Sequence, residues 1–142
     1  MMIQMNRCAI IIGTRRNQTL EQIKSMLNNN IKIKKESDEI GNIDLYYFTE
    51  NSWKNLNFPE FLNKLKKYDA LVLSGGFTAY TLLYASGFIC IENFGSISPL
   101  ISTGRIKGGI LDGRVVILKG GSIGDKNIYL KIIETLAGNS KW

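Results

Sequence analysis

Three short aliphatic runs, each closed by glycine, set the architecture of this chain. They are "AIIIG" ending at Gly13, "LVLSGG" ending at Gly76 and "VVILKGG" ending at Gly121. A run of four or five apolar residues with no polar alternation reads as a strand buried on both faces. Helix-like stretches follow these runs, and strands alternating with helices build layered α/β folds. The sequence therefore predicts one α/β domain over residues 1–142: a mostly parallel sheet flanked by helices, with a β-hairpin near the C-terminus. At 142 residues and 44% hydrophobic content the chain is long enough for one real core.

The remaining elements fit that frame. "TLEQIKSMLNNN" carries Leu20, Ile23, Met26 and Leu27 as an apolar face, and Thr19 with Gln22 has the spacing of a capping box. "IKIKK" suggests a short strand and "IDLYYFT" (43–49) a firm one, while Trp53 is expected in a loop. "FPEFLNKLKKY" reads as a helix with Pro at its start and Phe58, Phe61, Leu62 and Leu65 inward. "TAYTLLYASG" reads as a helix capped by Thr78 and stopped by Gly87. "FICIEN" is strand-like, and residues 94–107 give no clear signal. Asp112-Gly113 between two apolar runs in "GGILDGRVVILKGG" predicts the hairpin. "DKNIYLKIIETLAG" closes the chain as a helix with Gly138 as its stop.

Composition narrows the chemistry. There is no histidine, which removes imidazole acid–base catalysis and most zinc sites. The two cysteines, Cys8 and Cys90, lie in apolar runs and are expected to pack in the core, so no metal site is predicted. The net charge of +6 favours an anionic partner. The lysines are spread along the chain, which argues against a dedicated nucleic-acid surface. No apolar run approaches bilayer length, and "MMIQMNR" lacks the pattern of a secretory leader. The expectation is a cytoplasmic protein with no membrane partner.

In a parallel α/β sheet the loops after the strands gather at the carboxyl edge, where ligands bind. Here those loops are "GTRRNQT", "SGGFT" and "KGGSIGD". Glycine lets a ligand approach the backbone, and unpaired N–H groups at helix starts favour an anion. Thr14, Thr78 and Ser122 offer hydroxyls; Lys119, Arg15 and Arg16 offer charge. No loop is a Walker A sequence or a dinucleotide fingerprint. Each alone is also compatible with a plain turn, and the coincidence of three favours a phosphate site.

Taken in order, "IIIGTRRNQTLEQI", "LVLSGGFTA", "SISP" and "LKGGSIGDKNIYL" resemble the C-terminal, nucleotide-binding domain of the four-carbon acid sugar kinases. The resemblance runs from Cys8 to about Gly138. It implies ATP or ADP as cofactor, with Mg²⁺ carried by the nucleotide. It implies nucleotide contacts from Thr14, Gly75, Gly76, Thr78, Lys119, Gly121 and Ser122. There are departures. Phe77 stands in place of an acidic residue, Gly120 and Ser122 in place of Ser and Asn, and Leu100 in place of Gly. The family's separate substrate domain, which supplies its catalytic Asp, has no counterpart here, so no catalytic residue is assigned. The reading is one half of a split kinase for a small sugar acid, working with a separate substrate-binding subunit. The alternative is a non-catalytic regulatory module for a nucleotide or another phosphorylated metabolite. Self-association into a homo-oligomer is compatible with either.

Overall fold

The structure, a computed structural model, describes residues 7–13, 17–99, 101–121 and 123–139. Six strands form one sheet: β1 (Cys8–Ile12), β2 (Ile43–Tyr47), β3 (Ala70–Ser74), β4 (Cys90–Ser98), β5 (Ile101–Lys107) and β6 (Val115–Lys119). Their spatial order is β2-β1-β3-β6-β5-β4. The first four strands in that order are parallel, and β5 and β4 extend the sheet antiparallel. The helices are α1 (Asn17–Asn28), α2 (Glu50–Lys54), α3 (Phe58–Leu65), α4 (Gly76–Ser86) and α5 (Ile128–Glu134), the last running into a π turn at Thr135–Asn139. The predicted fold class, hairpin included, is the observed one.

Strand parity divides the core. Ile10, Ile12, Val72 and Ile117 face one layer, with Met26 of α1 and Ile132 of α5. Ile11, Leu71, Leu73 and Val116 face the other, with Phe61 of α3 and Leu82 of α4. Both faces of β1 and β3 are therefore covered, which is why their sequences show no alternation. Burial of each such side chain contributes about 2 kcal/mol.

Several local expectations change. Helix α1 begins at Asn17, two residues before Thr19, so Thr19 and Gln22 are not a capping box. The buried stripe of α1 is Thr19, Gln22, Ile23 and Met26, while Leu20 and Leu27 are largely exposed. Polar groups occupy the inner face because a loop, not the sheet, lies opposite them. Thr78 is not a cap either: α4 starts at Gly76 with Gly75 at its N-cap, and Gly87 ends it as expected. Trp53 lies in helix α2, whose Thr49 and Ser52 form the true capping box. Cys8 is buried but Cys90 is exposed, at the start of the edge strand. Ile33 forms only an isolated bridge to Leu45.

The hairpin's first strand is β5 rather than "GGIL". Residues 108–114 are its connection, with Asp112 accepting a hydrogen bond from the Gly108 N–H. The segment with weak signals, 94–107, is thus mostly strand. It is an edge pair with two register shifts in β4, and Gly, Ser and Asn replace the usual alternation. Gly109 anchors the connection at φ +75°, where an added Cβ would lie 2.1 Å from the Ser86 carbonyl oxygen. Gly109→Ala combines a left-handed backbone with a backbone clash. The expected loss is about 3 kcal/mol in urea denaturation.

Candidate functional site

The four parallel strands end in register. Tyr47 pairs with Ile12, Ile12 with Ser74, and Ser74 with Lys119. The glycines that follow, Gly13, Gly75 and Gly120, therefore leave the sheet side by side. Between β1 and β3 the chain order reverses: α1 leads to β2 on one side, and α3 leads to β3 on the other. Such a switch point opens a crevice at the carboxyl edge. At this edge Gly13 is required by close approach, since a Cβ there would lie 2.4 Å from Thr78 Oγ1.

Two cavities flank the start of α4. One, about 430 Å³, is lined by Gly13, Phe48, Glu50, Trp53, Lys54, Phe77 and Thr78, among others. The second, about 320 Å³, is lined by Gly75, Gly76, Ser96, Ser102, Lys119 and Gly120, among others. No side chain caps α4, so the first N–H groups of this helix stand open between the cavities. Phe77 is 69% exposed, beside Trp53 at a ring separation of 6.3 Å.

The loop after β6 is held from below. Lys119, 2% exposed, donates from Nζ to the carbonyls of Gly120 (2.8 Å) and Gly121 (3.2 Å). The ammonium also lies 4.9 Å from the centroid of the Tyr129 ring. The Tyr129 hydroxyl is 2.5 Å from Ser74 Oγ. Among the described residues no carboxylate forms an ion pair with Lys119. Burial pushes its pKa down to about 8. Thr19 Oγ1 donates to the Gly121 carbonyl at 2.6 Å, and Gln22 Nε2 donates to those of Ile123 and Gly124, both at 3.1 Å.

Of the residues expected at a nucleotide site, Gly75, Gly76, Thr78, Lys119 and Gly121 fall at this one edge. Gly75, Gly76 and Lys119 line the second cavity, and Thr78 the first. Thr14 and Ser122 lie outside the described residues, as do Arg15, Arg16, Leu100 and Trp142. Sequence reasoning missed Thr19 and Gln22 as partners of the glycine loop, and Ser96 and Ser102 as lining residues. The Thr-x-x-Gln spacing was visible, but capping explained it locally. Among the described residues no group of three Cys, Asp or Glu side chains is placed to hold a metal, and no helix is long and apolar enough to cross a membrane.

No family model and no curated protein sequence matches the chain. Solved structures do. A domain of unknown function, DUF1537, from Bordetella bronchiseptica was solved with bound citrate as a domain-swapped dimer. It aligns with a TM-score of 0.72 at 12% identity, over 98% of this chain and 43% of that one. A second crystal form of it gives 0.76 at 13% identity, over 94% and 40%. A Haemophilus influenzae protein, HI1011, also of the DUF1537 family model, gives 0.69 at 12% identity, over 96% and 42%. This chain has the fold found in DUF1537 proteins. It spans about two-fifths of the length of each of these neighbours.

Proposed function

We propose that this domain binds ATP or ADP at the carboxyl edge of its sheet, with the phosphates against the glycine peptides. The observation that carries the reading is the row of Gly13, Gly75 and Gly120 beside the switch point, with a buried ammonium behind it. Gly76 and Gly121 would offer backbone amides, Gly75 a backbone without a Cβ whose own N–H is held by the Lys119 carbonyl, and Thr14, Thr78 and Ser122 hydroxyls. Lys119 would supply positive charge from beneath the loop. Magnesium would arrive on the nucleotide, since Phe77 offers no oxygen where the resemblance places an acid.

In this reading the domain is the nucleotide-binding half of a kinase for small sugar acids, with the substrate held by a separate subunit. The face of α4 running on from Phe77, with Tyr80 and Tyr84 exposed and stacked 5.7 Å apart, suits contact with such a subunit. The domain-swapped neighbour is compatible with self-association instead.

A second reading has its own support. Phe77 on the cavity wall and the citrate bound by one neighbour fit a regulatory module for a different anion. Calorimetric titration separates the two. Mg-ADP and Mg-ATP should bind saturably, and Gly121→Val should weaken them by about tenfold or more, ~1.4 kcal/mol. Heat from citrate or another non-nucleotide anion alone would select the regulatory reading. No heat from any nucleotide at millimolar concentration would end the first.

A further inference from the structure

A trans peptide points its C=O and the next N–H in opposite directions. Where a loop's carbonyls are held inward, the amides that follow face out. After β6 this happens four times, at Gly120, Gly121, Ile123 and Gly124, and every side-chain donor comes from beneath the loop. Three of the amides that follow belong to Gly121, Gly124 and Asp125. None of these three donates to a protein acceptor among the described residues. The Asp125 carboxylate is engaged by the Asn127 N–H and by Lys131 Nζ, 2.7 Å away.

The donors are expensive for the fold. Thr19 and Gln22 are 0% and 1% exposed, and Gln22 Oε1 is buried with no partner among the described residues. An unpaired buried acceptor costs free energy that an apolar side chain at the same place would avoid. What their hydrogen bonds fix is the direction of the loop carbonyls.

We propose that Thr19, Gln22 and Lys119 are positioning residues. They turn the loop carbonyls inward so that the Gly121, Gly124 and Asp125 amides present a preformed concavity to a phosphate group. The choice of phosphate rests on the nucleotide reading; the clamp itself rests on the hydrogen bonds.

The test is amide chemical-shift titration of the ¹⁵N-labelled protein, first with inorganic phosphate and then with Mg-ADP. The panel is wild type, Thr19→Ser, Thr19→Val and Gln22→Glu. Wild type and Thr19→Ser should show saturable shifts at Gly121, Gly124 and Asp125. Thr19→Val loses the donor at constant shape, and Gln22→Glu sets a carboxylate against two carbonyl oxygens. Both should bind about tenfold more weakly or worse, with the remaining amides unmoved. If Gln22→Glu does not fold, the Thr19 pair decides. Equal affinity in Thr19→Val and Thr19→Ser overturns the clamp. A phosphate response at the loop without any Mg-ADP response keeps the clamp and removes the nucleotide reading. An Mg-ADP response confined to Gly75 and Gly76 does the reverse. Loop amides unmoved by either probe overturn the proposal.

Discussion

Lys119→Met is expected to make the protein more stable and a poorer binder of phosphate. The ammonium is buried with no carboxylate partner among the described residues, and burial lowers its pKa from 10.5 to about 8. The unfolded chain therefore holds this proton more tightly than the folded one. Between about pH 8 and 10.5 the unfolded state carries more protons, so stability rises with pH across that window. Below pH 8 the full penalty is present, up to about 3 kcal/mol. Methionine removes it while keeping contact with the Tyr129 ring. The two carbonyls do not lose their last donors: Gly120 still accepts from the Ile123 N–H and Gly121 from Thr19. Urea denaturation at pH 7 should show a gain of about 1–3 kcal/mol that shrinks towards pH 10.5. Phosphate affinity should fall by about tenfold as the charge behind the loop is lost. A variant less stable than wild type at pH 7 would show that the ammonium holds the fold rather than the ligand.

Asp44→Ala should have the opposite profile, a large loss of stability with binding untouched. Asp44 sits at the amino end of the sheet, paired in register with Ala9 and far from the glycine row. Its buried carboxylate accepts from the Gly41 N–H (2.7 Å) and from the Tyr68 hydroxyl (2.5 Å), with Lys34 Nζ 3.5 Å away. Burial pushes the Tyr68 phenol up, and its bond to Asp44 adds to that, so it stays a donor. The Tyr46 hydroxyl joins it at 2.7 Å. Alanine leaves the Gly41 amide and the Lys34 ammonium without this partner. The expected loss is about 3 kcal/mol in urea denaturation, against unchanged calorimetric affinity for Mg-ADP. A loss under about 1 kcal/mol would mean that water or Tyr46 replaces the carboxylate.

The parallel part of the fold was legible because β1 and β3 are buried on both faces. An unbroken run such as "AIIIG" has few alternatives. The antiparallel edge was legible only at its start, where "FICIEN" overlaps β4. β4 is half exposed and broken by two register shifts, so no period survives through its second half. Helix α2 is a single capped turn and a half, too short for periodicity. The glycine loops marked the carboxyl edge of the sheet, since a strand that ends in glycine shows where the backbone turns out of a parallel sheet. The support of the last loop was hidden. Thr19 and Gln22 lie about a hundred residues from the carbonyls they hold, and local spacing offered capping as a sufficient cause. Phe77 is the reverse case. Its departure from the kinase-like pattern was plain in the sequence, and its placement on the cavity wall came only from the fold.

The most direct test of the account is a crystal structure grown with saturating Mg-ADP. The account predicts the diphosphate at the carboxyl edge, within hydrogen-bond reach of the Gly121 and Gly124 amides and of the start of α4. Nucleotide seated elsewhere on the domain, or an edge left without nucleotide at saturating concentration, would contradict it.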